Sequence, residues 1–245
     1  MQNWLPLVSG ALADEATAAI DAIAADMAEP EMQFGLSRQY PLSLGFGRAG
    51  VALFQTYLGA CRDDEESIAR AAECLGDSLQ GLSEAIMLPD LYRGFAGIAW
   101  TFEHVKERLW GPLEDDPCQE VDDALAAWVR EGSAPSELMH GLAGICIYAL
   151  ERLSQPSARE LAGLAVAGIE ERSRGPRGWG WPLPTEAAGH LMGVYERERP
   201  PGFQEILADL RRLSPAEGVI RPGAAHGVSG VLAALGAVHA RGVAT

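Results

Sequence analysis

Positive charge is scarce in this chain, and lysine is nearly absent. The 245 residues include 19 lysine and arginine residues against 34 aspartate and glutamate residues, a formal net charge of −15. Lys106 is the one lysine. Nucleic acids and anionic lipid surfaces require a positive protein face, so the sequence predicts neither as a partner.

Cysteine motifs and long apolar runs are also lacking. The four cysteines form no Cys-x-x-Cys pair, and none lies beside a histidine. No run of about 18 apolar residues is present, and the first residues lack the basic start of a secretory signal peptide. The sequence therefore predicts a cytoplasmic protein with reduced thiols and no membrane-spanning segment.

What the sequence does contain is an internal repeat. Four segments share the pattern Gly-x-x-Gly followed by an apolar run, with the glycine pairs Gly47/Gly50, Gly94/Gly97, Gly141/Gly144 and Gly227/Gly230. The first glycines are separated by 47, 47 and 86 residues. An amphipathic pattern lies between the segments, so each period holds a mostly apolar inner helix and a charged outer helix. A two-helix repeat of this length is typical of helical solenoids and α/α toroids.

The periodicity predicts an all-α fold with eight helices. The outer helices cover residues 14–27, 65–82, 119–129 and 158–171, and the inner helices cover residues 51–58, 98–105, 145–153 and 231–238. The third interval contains 39 residues more than one period, in an irregular insertion at about residues 173–222 that is rich in proline, glycine and tryptophan. One further helix is predicted there, at residues 204–213. Residues 1–245 are predicted to form one domain with this insertion.

Two glycines at this spacing indicate a tight turn into each inner helix. Glycine tolerates positive φ and lets another backbone or a ligand approach closely. The four turns are predicted to lie at the same end of the inner helices, whose N-termini would face one cavity mouth and favour anionic groups. A purely structural role in packing the hairpins stays open for each glycine.

The four turns, above all Ala225-His226-Gly227-Val228-Ser229-Gly230, resemble those of the lanthionine synthetase C family over about residues 10–240. The resemblance implies an α/α toroid of seven inner and seven outer helices. This chain contains four of the seven repeats, so the toroid is predicted to be incomplete. The resemblance also implies a cyclase, in which a cysteine thiol adds to a dehydrated serine or threonine of a lanthipeptide precursor and closes a thioether ring.

The same resemblance implies the partners. They are the modified precursor peptide and either a dehydratase or a missing C-terminal half. The apolar sides of helices at the two ends of an open arc would be exposed, which also predicts self-association.

The resemblance places two catalytic residues. His226 lies where the family has a histidine that lines the active site as an acid or base. Glu137 lies where the family has an aspartate, four residues before the first glycine of the third turn. A carboxylate at this place could orient His226 or raise its pKa, or it could be a helix-start feature.

Four further residues are candidates for substrate binding. Asp90 is the equivalent of Glu137 in the second repeat, and His140 precedes its glycine as His226 does. Arg48 and Arg93 could hold a peptide carboxylate or acidic leader residues, or they could pair with the many acids of the chain. The resemblance supplies no role for His140, and a core or surface histidine is the alternative.

Zinc is the cofactor that the resemblance implies. In the family it is held by two cysteines and a histidine from the fifth and sixth turns, and it activates the substrate thiol. Neither segment occurs in this chain. Zinc is therefore expected for the family, but no metal ligand is predicted here, and the chain alone is predicted to be inactive.

Two other functions stay open. One is a non-catalytic module that binds a peptide or a partner enzyme through the glycine-lined mouth. The other is a glycosidase, because toroids of helical hairpins also host glycosidases and Asp90 and Glu137 are carboxylates in neighbouring repeats. The Ala-His-Gly turn has no role in a glycosidase, so the cyclase interpretation is favoured.

Overall fold

Helices are the main secondary-structure elements of the described chain. The computed structural model describes residues 7–28, 40–113, 115–175, 178–179, 181 and 222–243. The helices within these residues are α1 (Ala11–Ala28), α2 (Arg48–Arg62), α3 (Glu65–Gly81), α4 (Phe95–Leu109), α5 (Gln119–Arg130), α6 (Leu142–Glu151), α7 (Pro156–Glu171) and α8 (Val228–Ala240). A two-residue antiparallel pair, β1 (Arg174–Gly175) with β2 (Gly178–Trp179), follows α7.

The all-α prediction is confirmed, and all eight helices of the repeat are present. Each inner helix begins at the residue after the first glycine, three residues before its predicted start, because the second glycine already lies in the first helical turn. The helix predicted at residues 204–213 lies outside the described residues, as does most of the insertion. Among the described helices, none is long and apolar enough to cross a membrane.

The inner helices α2, α4, α6 and α8 pack side by side in chain order, and α3, α5 and α7 pack against them on the outside. Small buried side chains allow the inner helices to approach closely, among them Ala52, Ala96, Ala99, Ala143 and Ala234. Larger apolar residues on both layers fill the core, including Leu75, Leu125, Ile145, Leu161 and Ile169. Burial of these faces provides the main stabilisation of the hairpins.

The turn glycines are required by close packing rather than by positive φ. The first glycines of the four turns have φ between −107° and −140°, which is extended backbone. A Cβ at Gly97 would collide with the carbonyl oxygen of Leu91 and would lie 3.0 Å from the Cβ of Leu44. At Gly144 the added Cβ would lie 2.9 Å from the Cβ of Leu91. The second, third and fourth turns therefore each pack directly on the turn before them.

A ladder of backbone hydrogen bonds joins the four turns. The N–H of Gly45 donates to the carbonyl of Tyr92 at 2.8 Å, and the N–H of Tyr92 donates to that of Met139 at 3.0 Å. The N–H of Met139 in turn donates to the carbonyl of Ala225 at 3.3 Å. Each of these residues lies two positions before the first glycine of its turn. The ladder therefore aligns equivalent positions of the four repeats in one row.

A buried ion network connects the helices from α4 to α7, and the sequence analysis did not identify it. Arg152 is 1% exposed and donates to both oxygens of Asp116 at 2.9 Å. It also donates to Asp122 at 2.9 Å and to Glu103 at 2.8 Å. The hydroxyl of Tyr148 donates to Asp122 as well, at 2.7 Å. Because these donors and acceptors satisfy one another, the network holds several helices at fixed positions.

Candidate functional site

Polar side chains cap the first three turns in the same way. The side chain four positions before the first glycine accepts a hydrogen bond from the backbone N–H one position before that glycine. The pairs, acceptor first, are Ser43 with Phe46, Asp90 with Arg93, and Glu137 with His140. The distances are 3.2, 2.6 and 2.7 Å. A carboxylate at this position therefore has a structural role in its own turn.

Glu137 does more than cap its turn, because each of its two carboxylate oxygens faces two donors. Oε1 accepts the backbone N–H of His140 and lies 3.2 Å from Nδ1 of the same residue. Oε2 accepts the backbone N–H of Met139 at 2.9 Å and lies 3.0 Å from Nδ1 of His226. The side chain is 6% exposed. The carboxylate thus exchanges its water for four protein donors.

These donors determine the charge of the carboxylate. Burial alone would raise the pKa of Glu137, but the hydrogen bonds from His140 and His226 outweigh burial. Together with the backbone N–H of Met139 they lower the pKa to about 2. Glu137 is therefore ionised at neutral pH, and each imidazole donates its Nδ1–H to it. Both histidines are held in the tautomer that leaves Nε2 for acid–base chemistry.

The two imidazoles lie side by side at the turn end of the inner helices. The rings of His140 and His226 stack with an interplanar angle of 5° and a centroid distance of 5.2 Å. Each side chain is 23% exposed, so both reach the surface. The ring of Tyr92 meets His140 edge-on at 6.3 Å, and the ring of Phe46 meets Tyr92 at 5.0 Å. Ring side chains thus form a row along the ladder that ends at the histidine pair.

The other three predicted site residues form pairs of their own. Oδ2 of Asp90 accepts from Nη2 of Arg93 at 3.1 Å and from Nε at 3.3 Å. The guanidinium of Arg93 also lies over the ring of Tyr40, 5.6 Å from its centroid. Arg48 forms an ion pair with Asp77 of α3 at 2.6 Å. The structure therefore brings together the predicted residues of the third and fourth turns and joins Arg48 to the outer layer.

The zinc ligands implied by the resemblance, two cysteines and a histidine, do not come together in the described residues. Cys74, Cys118 and Cys146 are buried, and Cys61 is exposed. Burial raises the pKa of Cys118 and that of Cys146 to about 12, which disfavours the thiolate that a metal requires. Among the described residues, the cluster of metal-ligating types is Glu137 with the two histidines, and it contains no cysteine.

A second chain of hydrogen-bonded side chains lies at the opposite end of the inner helices. The hydroxyl of Tyr57 is 2.6 Å from Nε2 of His104, and Nδ1 of His104 is 3.0 Å from Glu151. A cavity of about 930 Å³ opens beside Tyr57, between the ends of α2, α3 and α4. These residues were not among those predicted from the sequence, although each is 47 positions from the next. That spacing is the signal by which they could have been found.

Comparison with known proteins identifies the family of this chain. The chain matches the family model described as lanthionine synthetase C-like protein over residues 38–241. Its structure resembles that of nisin cyclase with a TM-score of 0.60 at 18% identity, over 94% of this chain and 54% of that chain. No curated protein gives a significant match. The chain thus spans about half the length of nisin cyclase and shares its toroid fold, and the family match shows that the chain belongs to the lanthionine synthetase C-like family.

Proposed function

We propose that this chain acts as a lanthionine synthetase C-like cyclase, closing thioether rings in precursor peptides that carry dehydrated serine or threonine. The contact that carries the proposal is the one between Oε2 of Glu137 and Nδ1 of His226, which are 3.0 Å apart and come from residues 89 positions apart. The family match and the shared fold with nisin cyclase support the class of reaction.

The chemistry requires a proton donor. When a thiol adds to the alkene of a dehydrated residue, a C–S bond forms at the β-carbon, and an enolate remains that must be protonated at the α-carbon. An imidazole whose Nδ1–H is held by a carboxylate presents Nε2, and in its protonated form it supplies that proton.

Zinc enters the proposal only at the level of the family, whose members generally bind it. When bound, zinc activates a thiol as a Lewis acid. The described residues of this chain do not assemble the cysteine ligands, so no step of the proposal passes through a metal. The predicted zinc-bearing half, the dehydratase partner and the cytoplasmic location stay predictions.

A thiol-alkylation assay tests the proposal. A peptide with one dehydroalanine and one cysteine keeps its mass when it cyclises, but it loses the thiol that reacts with an alkylating reagent. We expect the chain to consume the thiol and the His226→Asn variant to lose this activity. His239→Asn is the matched control, because His239 is exposed in the last turn of α8, and it should retain the activity.

The same assay separates the alternatives. Binding of the dehydrated peptide without loss of its thiol would favour a non-catalytic binding module. A chain that neither binds the peptide nor consumes its thiol would contradict the proposal. The sequence predicts that the chain alone is inactive, whereas the proposal expects activity because the contact between Glu137 and His226 is already formed in this chain; the assay decides between the two.

A further inference from the structure

The fourth turn departs from the capping pattern of the other three. Gly223 stands where Glu137 stands in the third turn, so the fourth turn has no capping side chain of its own at that position. His226 instead reaches the carboxylate of the neighbouring turn. The contact of His140 with Glu137 lies within one turn, as does the pair of Arg93 with Asp90 in the second turn. The distinguishing feature of this site is therefore that two imidazoles from different turns share one buried carboxylate.

One buried carboxylate faces two imidazoles at this site. With Glu137 ionised, one protonated imidazole brings the net charge of the group to zero. A second would place two positive charges on rings whose centroids are 5.2 Å apart, and like charges this close disfavour each other. The adjacent charged residues of the second turn, Asp90 and Arg93, neutralise each other in their own pair. One neutral and one protonated imidazole therefore make the group of three side chains electrically neutral.

We propose that His140 is a second catalytic residue, and that His140 and His226 divide the two proton transfers of thioether formation between them. This inference rests on the proposed function. The neutral imidazole accepts the S–H proton at Nε2, and the sulfur forms a bond to the β-carbon of the alkene. The π electron pair moves to the α-carbon as an enolate, and the protonated imidazole donates its Nε2–H proton to that carbon.

The proton balance closes without a co-reactant. One proton leaves the substrate thiol and one returns to the α-carbon, so ring closure remains an isomerisation. The two imidazoles end the reaction with their protonation states exchanged, and proton exchange with water, which both partly exposed side chains reach, restores them before the next turnover.

A divalent metal is the rival occupant of the same three side chains. Metal ligands must direct their donor atoms to one point, and an imidazole donor lies in the plane of its ring. The stacked rings of His140 and His226 are 5° from parallel, and each Nδ1 faces a different oxygen of Glu137. This arrangement favours two hydrogen bonds over a shared metal ion.

Nitrogen NMR of the chain labelled with ¹⁵N-histidine tests the pair without an activity assay. We expect both rings to carry the Nδ1 proton and to titrate in two coupled steps. Substitution of either histidine by asparagine should shift the titration of the other, while the signal of His239 stays unchanged. Independent titration of His140 and His226 would overturn the inference. So would a stoichiometric loss of both Nδ1–H signals on addition of Zn²⁺.

The dependence of ring closure on pH tests the catalytic assignment. A reaction that needs one neutral and one protonated imidazole has a bell-shaped profile. His140→Asn should remove one limb of the bell and lower the rate by about 100-fold, and His239→Asn should do neither. An unchanged rate and profile in His140→Asn would overturn the inference, while the proposed function would stand.

Two further outcomes separate the proposals. Ring closure that disappears with a chelator and returns with Zn²⁺ would assign thiol activation to a metal, and would overturn the role of His140. A wild-type chain that closes no ring, although NMR shows the coupled pair, would contradict the proposed function and the catalytic role of His140 together.

Discussion

Replacing Glu137 with glutamine tests the geometry of the site with a change of one atom. Glutamine presents one oxygen and one NH₂ group, so one of the two pairs of donors that face the carboxylate would meet another donor. A buried donor without an acceptor destabilises the fold by about 1–3 kcal/mol. We therefore expect Glu137→Gln to unfold at a lower concentration of urea than the wild-type chain near neutral pH.

The pH dependence of this destabilisation shows how much of it comes from the negative charge of Glu137. The fold lowers the pKa of Glu137 from 4.5 to about 2, which corresponds to about 3 kcal/mol of stability. Because the pKa is lower in the folded state, this stability is fully present above about pH 4.5 and is lost as the pH falls through about 2. The difference between the two proteins should stay constant down to about pH 5 and shrink by about 2 kcal/mol by pH 3.

Urea unfolding followed by circular dichroism between about pH 6 and pH 3 measures this difference. Most other titrating groups are common to both proteins and cancel when the two free energies of unfolding are subtracted. Glu160→Gln is the control, because Glu160 is 66% exposed and pairs with Arg130 at the surface. Its difference from wild type should be small and independent of pH. A flat difference for Glu137→Gln would refute the four-donor account of this carboxylate.

Three further substitutions and one chemical modification probe the fold. Arg152→Met leaves its carboxylate partners unpaired, so the free energy of unfolding measured in urea should fall by about 3–5 kcal/mol; a loss below about 1 kcal/mol would contradict the network. Gly97→Ala should destabilise by about 1–3 kcal/mol, whereas Gly76→Ala, whose Cβ meets nothing within 4 Å, should stabilise by about 0.5–1 kcal/mol. Equal effects of the two would contradict the turn packing. A thiol reagent should label Cys61 rapidly in the folded chain, and a second fast thiol would contradict the burial of the other three cysteines.

Local patterns predicted the helices, because each helix buries one face and therefore repeats its apolar residues every three or four positions. The starts of the inner helices were placed three residues late. The reason lies between repeats, since Gly144 is already helical and packs against Leu91 of the preceding turn. A pattern read within one repeat does not reveal that contact. The turn glycines were expected either to adopt positive φ or to allow another backbone to approach closely. In the structure they allow close approach.

The site was predictable only in part. Glu137 and His226 were identified through the resemblance, and their contact depends on the hydrogen-bond ladder between turns. His140 was a candidate because its position in the repeat matches that of His226, but the resemblance supplied no role for it. Arg152 had no spacing signal, because its carboxylate partners lie 30 to 49 positions away in the chain. Contacts between repeats produced each of these features, and a single sequence does not show which side chains they bring together.

The candidate site lies where the fourth turn departs from the capping pattern of the first three turns. A carboxylate that caps its turn already accepts backbone N–H groups, and at Glu137 the two imidazoles provide most of what offsets its burial. The bond from the N–H of Met139 to the carbonyl of Ala225 places the third and fourth turns side by side. Because the fourth turn has Gly223 in place of a cap, its histidine meets the neighbouring carboxylate. Glu137 thus serves one turn as a cap and two imidazoles as a counter-ion, so changing it must alter stability and acid–base behaviour together.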